Sequence, residues 1–134
     1  MYEPGARILI LGDFNATPSE QCLKDILKAR PYPGSKEINS VVNLSTLWLK
    51  NNSGTICRYG QWEIFDQVIC SANLLESEIL RIIPQETEIC DQSFLLEPDQ
   101  RYLGKKPFRT YLGPVYHGGV SDHLPIVTVL STVK

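Results

Sequence analysis

The stretch "RILILGDFN", residues 7–15, decides the fold, because its apolar run predicts a buried strand that ends in polar side chains. Its apolar run predicts a strand over Arg7–Leu11. Asp13 and Asn15 are one residue apart, so extended backbone would point both side chains to one side. The carboxylate can accept a proton from water or hold a metal ion, and the amide can donate hydrogen bonds to developing negative charge. The alternative is an Asx-type turn that bonds either side chain to nearby backbone.

The rest of the chain predicts one helix followed mostly by strands. Thr17, Pro18 and Glu20 form helix-start signals, and Pro31 ends the segment. The segments "TICRY" and "WEIFDQVIC" predict a hairpin with Gly60 in its turn. A long loop rich in Gly, Pro and aromatic residues precedes a closing strand, "LPIVTVLSTV". This order predicts an α+β fold, a mostly antiparallel or mixed β-sheet with flanking helices.

The composition fits one domain with an ordinary core. The chain has 134 residues, of which 43% are hydrophobic and 21% charged. Its net charge of −2 gives no electrostatic argument for nucleic-acid binding, although a metal ion can supply positive charge for a phosphate substrate. No apolar run has transmembrane length, so we predict no membrane span in this chain.

The four cysteines, Cys22, Cys57, Cys70 and Cys90, are widely spaced, and the chain has two histidines. This spacing argues against a structural zinc site. Three of the cysteines lie within apolar patterns, which favours buried free thiols over two disulfides.

Two further places in the chain combine carboxylates with apolar segments. Asp66 lies within a strand-like run, where an unpaired buried charge would be costly. The alternative is that Asp66 lies on an exposed face of the strand, since the nearby Glu63 is also acidic. Asp122 and His123 are neighbours, so in an extended chain their side chains point apart. The carboxylate that orients His123 must then come from elsewhere, and Asp66 is available. Asp122 is left free for a metal ion, or it caps a turn together with Ser121.

Three motifs occur in order, each at a strand end: "GDFN", "FDQVICS" and "SDHLP". They resemble the endonuclease/exonuclease/phosphatase superfamily of DNase I-like, metal-dependent phosphoesterases. The text "PFRTYLGPVYHGGVSDHLP" looks like the predicted extracellular nucleases of Bacteroidetes-type bacteria. The resemblance implies a four-layer α/β/β/α sandwich, of which residues 1–134 supply the C-terminal half. The N-terminal half is then missing, and a secreted or periplasmic bacterial parent is expected, although the compartment stays unknown.

The resemblance also implies a role for each matching residue. Asp13 would activate or position the attacking water, and Asn15 would stabilise the phosphate transition state. Asp66 would orient His123, which would bind the scissile phosphate or act in acid–base chemistry. Asp122 would hold the metal together with Asp13. The implied cofactor is Mg or Mn, because a hard divalent cation suits oxygen ligands and phosphate.

Arg109 is the remaining candidate, because its planar guanidinium could bind a substrate phosphate, with a structural ion pair as the alternative. We therefore predict a nuclease-like phosphodiesterase that is inactive as an isolated half-domain. The alternatives are a phosphomonoesterase acting on phosphoinositides or small phosphorylated metabolites, and a non-catalytic binding module. Expected partners are a phosphodiester substrate such as nucleic acid, the missing half, and a second copy that covers the exposed sheet face.

Overall fold

A computed structural model describes residues 5–34, 37, 40–51 and 53–132 of the chain. The strands in this part are β1 (Leu9–Asp13), β2 (Arg30–Pro31), β3 (Val41–Asn43), β4 (Ile56–Arg58), β5 (Gln61–Glu63), β6 (Asp66–Ser71), β7 (Leu80–Ile89), β8 (Leu96–Pro98), β9 (Lys105–Pro107), β10 (Tyr111–Leu112), β11 (Val115–Tyr116) and β12 (Ile126–Thr132). The helical pieces are a π-helical turn (Cys22–Ile26), 3-10 helices at Leu44–Asn51 and Ser93–Leu95, and α1 (Ala72–Leu75). This strand-rich content confirms the α+β class. No helix in the described residues is long and apolar enough to cross a membrane.

Strand β6 is the centre of the molecule. It lies between β1 and β3 in a four-stranded sheet of order β1-β6-β3-β2, antiparallel to both neighbours. All six of its residues are buried. Because side chains alternate along a strand, its two faces enter two different cores. Val68 and Cys70 join the larger core, while Ile69 packs on the other side with Ala16 and Leu23.

The other strands form two-stranded ladders rather than extending the sheet. These are β7–β12, β4–β5, β8–β9 and β10–β11, all antiparallel. The predicted hairpin is confirmed, and its turn consists of Tyr59 and Gly60, with φ of 53° and 77°. Positive φ at both central residues is typical of a type I′ turn. The predicted long loop before β12 therefore contains short strands, because β8–β9 and β10–β11 fold back on themselves.

The regular helix predicted after Thr17 is wrong. Its start signal forms, because the Thr17 amide donates to Glu20 Oε1 at 2.8 Å. Only the π-helical turn follows, and Lys28 then leaves it with a φ of 56°. Ile26 is 77% exposed, so the segment lacks the continuous buried face on which a short helix depends.

The first strand also begins two residues later than predicted. It covers Leu9–Asp13 rather than Arg7–Leu11, because its ladder with β6 runs from Leu9 to Asp13. The predicted burial of this strand is wrong, since each of its residues is half-buried or exposed. The polar end of the motif is therefore part of the sheet edge.

All four cysteines are free, as predicted. Cys57 and Cys70 are buried and Cys90 is half-buried, but the expected burial of Cys22 is wrong, since it lies exposed on the π-helical turn. Burial raises the pKa of Cys70 to about 12 and also raises the pKa of Cys57 above its usual value. Both buried thiols therefore stay protonated at neutral pH.

Candidate active site

Two carboxylates face each other at the end of the central ladder. The antiparallel register of β1 and β6 places Asp13 opposite Asp66. Like charges directly opposite each other destabilise a sheet unless a cation or a proton donor lies between them. His123 supplies such a group, because its Nδ1 lies 2.7 Å from Asp66 Oδ2. Ligand atoms of these three residues all lie within 4.8 Å of one another.

The backbone before β12 brings His123 to this point. Residues Ile56 and His123 form an isolated antiparallel bridge, which ties the segment to β4. The Leu124 amide donates to the Thr55 carbonyl at 2.7 Å, and the Leu124 side chain is buried. The His123 amide donates to Ser121 Oγ at 3.1 Å. The imidazole is thus positioned by strand-like contacts on one side and a serine turn on the other.

Asp66 is fixed by hydroxyl groups that hold its backbone. Thr55 Oγ1 accepts from the amides of Phe65 and Asp66, both at 3.1 Å. Asp66 is buried, at 9% exposure, which excludes the exposed strand face as its environment. Asp66 is the first residue of its strand, because β5 and β6 are separate strands interrupted at residues 64–65.

A buried amide connects this strand to the loop that carries the first motif. Gln67 Nε2 donates to the carbonyls of Ala16 and Ile64 at 2.8 and 2.9 Å. Gln67 Oε1 accepts from Asn43 Nδ2 at 2.8 Å, and Asn43 Oδ1 accepts from the Ser45 amide at 3.0 Å. Sequence reasoning missed these positioning residues. The available signal was the polar Gln67 within a strand of otherwise buried character.

Asp13 and Asn15 meet through a turn rather than through strand alternation. The Asn15 amide donates to Asp13 Oδ1 at 2.7 Å, and Asn15 Nδ2 lies 3.3 Å from Asp13 Oδ2. The chain can turn here because Asn15 adopts a φ of 49°, a region that asparagine tolerates better than most residues. The Asx turn and the paired side chains are therefore the same feature. It directs a carboxylate and an amide to the mouth of the site.

The sequence profile of the endonuclease/exonuclease/phosphatase family matches residues 1–132 of this chain. The chain belongs to this family. Comparison with curated proteins and with solved structures gives no match. Membership indicates hydrolysis of phosphate esters with divalent metal ions, and it confirms the family that the three motifs suggested.

In this family member, Asp122 does not belong to the group of three clustered side chains. It is exposed, in a hollow of about 300 Å³ that Arg109 and Ser121 also line. Within the described residues, the group with metal-ligand spacing consists of Asp13, Asp66 and His123. A metal-binding role for Asp122 therefore stays a prediction. The hollow does place Arg109 on the same side of the molecule as Asp122.

The donor set suits the divalent metal that family membership implies. Hard cations such as Mg and Mn prefer oxygen ligands, and the cluster offers two carboxylates. His123 Nδ1 is already bonded to Asp66, which leaves Nε2 for a substrate. His117, the other histidine, pairs with Glu97 at 2.7 Å through its Nε2 atom.

Proposed function

We propose that this family member hydrolyses a phosphodiester in a nucleic acid, with Asp13, Asn15, Asp66 and His123 as its catalytic side chains. One observation carries the proposal. Two carboxylates face each other across β1 and β6, and an imidazole joins one of them at 2.7 Å. A purely structural role does not explain why two carboxylates, which repel each other, face one another at one sheet end beside an imidazole.

The pair of Asp66 and His123 gives the imidazole one orientation. Nδ1–H donates to the carboxylate, so the Nε2 atom faces outward. The carboxylate stabilises the imidazolium when Nε2 takes up a proton. In that state His123 binds a phosphate oxygen, and it can return the proton to the leaving oxygen. Asp66 acts through His123 and does not need to touch the substrate.

Asp13 and Asn15 act at the opposite side of the cluster. Asp13 is exposed and can accept a proton from an attacking water or hold that water in place. The Asx turn fixes Asn15 so that its remaining amide proton can donate to the charge that develops on the phosphate. Mg or Mn, held by Asp13 and Asp66 with Asp122 as a further proposed ligand, would neutralise phosphate charge.

We further propose that these residues form the C-terminal half of a four-layer sandwich, as residues 1–134 of its domain. Two strands support this idea with exposed apolar side chains. Ile10 and Leu11 on β1 are 36% and 50% exposed, and Val127 and Leu130 on β12 are 43% and 42% exposed. A contiguous apolar surface usually marks an interaction site, and the proposal requires these side chains to belong to one such surface. A second sheet, or a second copy of the chain, would cover it, and the isolated chain would be inactive.

The experiment compares hydrolysis by the chain alone with hydrolysis by a protein that carries both halves. Substrates are bis(p-nitrophenyl) phosphate and a labelled oligonucleotide, each with Mg or Mn. In the two-half protein, His123→Ala and Asp13→Asn should each lower kcat by about a hundredfold or more, the scale of acid–base catalysis. Lys50→Gln, an exposed cation in the Leu44–Asn51 helix, is the control and should change nothing.

Three results would contradict the proposal. Full activity of His123→Ala would remove the site from the reaction. Equal rates for the isolated chain and the two-half protein would contradict the half-domain. Faster turnover of p-nitrophenyl phosphate than of the diester would favour the phosphomonoesterase.

A further inference from the structure

A second cleft lies beside the candidate site. It has a volume of about 410 Å³, and we name it the Tyr59 cleft. Its lining residues are Cys57, Arg58, Tyr59, Asp99, Arg101, Tyr102, Lys106, Arg109 and Leu112. It adjoins the site in two ways. Arg109 also lines the hollow that contains Asp122, and Cys57 follows Ile56, which bridges to His123.

The cleft is positively charged although the chain is not. Four of its lining residues are cations and one, Asp99, is an acid. Asp99 is already engaged, because its Oδ1 accepts from the amides of Arg101 and Tyr102 at 2.9 and 3.1 Å. Arg58 pairs with Glu63 at 2.7 Å. Lys106 pairs with Glu97 at 3.6 Å. Within the described part of the chain, neither Arg101, which lies over the Tyr102 ring at 5.2 Å, nor Arg109 forms an ion pair with a carboxylate, so both can still contact a phosphate.

An aromatic ring stands at the rim of this charged surface. Tyr59 is 82% exposed, so burial does not explain its presence. It also occupies a positive-φ position of the hairpin turn, where Asn, Asp or Gly is usual and a tyrosine is strained. Its ring meets the edge of Tyr102, with ring centroids 6.3 Å apart. Gly60 allows this approach, because a Cβ there would lie 2.5 Å from Tyr102 Cβ. The turn thus presents a fixed, exposed ring beside unpaired arginines.

We propose that the Tyr59 cleft binds a single-stranded segment of the nucleic acid next to the scissile phosphodiester. Arg101 and Arg109 contact its phosphates, and a base stacks on Tyr59. Aromatic rings alternating with cations are the usual means of binding an unpaired strand. A small phosphate ligand has no base that could stack on Tyr59. The inference deepens the proposed function and rests on it, since it assigns the part of the substrate that lies outside the hydrolytic site.

The test measures binding without turnover. An eight-residue oligodeoxythymidine carrying fluorescein is titrated with the full chain in EDTA, and anisotropy is followed at several NaCl concentrations. Arg101→Gln should reduce the slope of log affinity against log salt by about 0.7, the value for one phosphate contact on a single strand. Tyr59→Ala should lower affinity about tenfold with an unchanged slope, while Tyr59→Phe retains binding. Lys50→Gln and Phe94→Ala are exposed controls outside the cleft and should bind normally.

Several outcomes would overturn the cleft. These are no binding by the unmodified chain, equal losses in Lys50→Gln and Arg101→Gln, or tighter binding of a hairpin duplex than of the single strand. Loss with Arg101→Gln but not with Tyr59→Ala would also overturn it, because a simple anion site would then explain the data. The binding assay contains no metal and needs no turnover, so a lack of hydrolysis in the activity assay would contradict only the proposed reaction. Hydrolysis without cleft-dependent binding would contradict only the role of the cleft.

Discussion

The cluster of Asp13, Asp66 and His123, to which we assign hydrolysis, and the Tyr59 cleft are neighbours, but they are built differently. Asp66 lies in a fully buried strand, its amide donates to the buried Thr55 hydroxyl, and the buried Gln67 beside it is itself fully hydrogen-bonded. Tyr59 and Arg101 lie on exposed turns of two-stranded hairpins. The difference matches the two tasks proposed for them, hydrolysis by the cluster and strand binding by the cleft. Acid–base chemistry requires atoms that are fixed by packing, whereas binding of an extended ligand requires exposed charged side chains that can contact it.

This contrast predicts the largest effect at Asp66. In the two-half protein, Asp66→Asn should lower kcat about a hundredfold or more, because the amide cannot stabilise the imidazolium of His123 and is a weaker metal ligand than the carboxylate. KM should change little, since Asp66 does not contact the substrate. Steady-state kinetics with the diester measures both quantities. The matched variant is Asp91→Asn, an exposed carboxylate, and it should retain the wild-type rate. An unchanged kcat in Asp66→Asn would remove this residue from the mechanism.

Gln67 should have the largest effect on stability. Gln67→Leu removes three hydrogen bonds and leaves two buried carbonyls and the Asn43 amide without partners. The free energy of unfolding should fall by about 3 kcal/mol, since each such group costs about 1–3 kcal/mol. Urea denaturation measures the change. Gln61→Leu, on the exposed side of the β4–β5 hairpin, is the control and should change it by less than about 0.5 kcal/mol. A small loss in Gln67→Leu would contradict the claim that these buried hydrogen bonds hold the site in place.

Thr55 tests the buried hydrogen bonds around the site with a smaller change. Thr55→Val keeps the side-chain shape but removes the acceptor for the amides of Phe65 and Asp66. We expect a loss of about 2 kcal/mol in unfolding free energy, from amides left without an acceptor. Thr132→Val, at the exposed end of β12, is the control. Equal behaviour of the two valine variants in urea would show that Thr55 does not hold Asp66.

The buried strand and the outer turn should also differ in thiol reactivity. Cys70 is fully buried on β6 and its pKa is raised to about 12, whereas Cys22 is exposed. Iodoacetamide should therefore modify Cys22 first, and Cys70 only after the chain unfolds. Mass spectrometry of peptides after timed alkylation gives the order. Comparable rates for both thiols in native buffer would contradict the fold around β6.

The smallest predicted effect concerns the cleft. Amide hydrogen bonds, first from Arg101, lower the pKa of Asp99 below its ordinary value of 3.8. A lowered folded-state pKa means that the charged carboxylate stabilises the loop above the unfolded pKa, and that this stability is lost as pH falls through the folded pKa. Wild type and Asp99→Ala should therefore differ in unfolding free energy at about pH 5, and the difference should shrink as the pH falls below the ordinary value of 3.8. A difference that grows on acidification would reverse the sign.

The sequence predicted contacts that chemistry requires better than it predicted local geometry. Asp66 and His123 are 57 residues apart, yet a buried carboxylate needs a partner and an active imidazole needs an orienting acceptor. Their proximity follows from that need, while their catalytic roles remain predictions. The hairpin at Gly60 also follows from local turn chemistry.

The prediction of local conformation is wrong where tertiary packing decides that conformation. The start signals at Thr17 are real, but whether a helix continues depends on a face that packs elsewhere, which Ile26 does not provide. The hydrogen bonds around Gln67 likewise depend on partners distant in sequence, such as Ala16. No local pattern in "GDFN" distinguishes an extended pair from an Asx turn.

The most direct test of the hydrolytic cluster is a manganese titration of the ¹⁵N-labelled chain followed by NMR, because it requires no turnover. The amide signals of Asp13, Asp66 and His123 should broaden before all others, below about 1 mM Mn²⁺, and EDTA should restore them. Asp13→Asn should abolish this selective broadening, while Asp91→Asn should retain it. Broadening that survives in Asp13→Asn, or that spreads equally over exposed carboxylates such as Glu88 and Asp91, would contradict a metal site between β1 and β6.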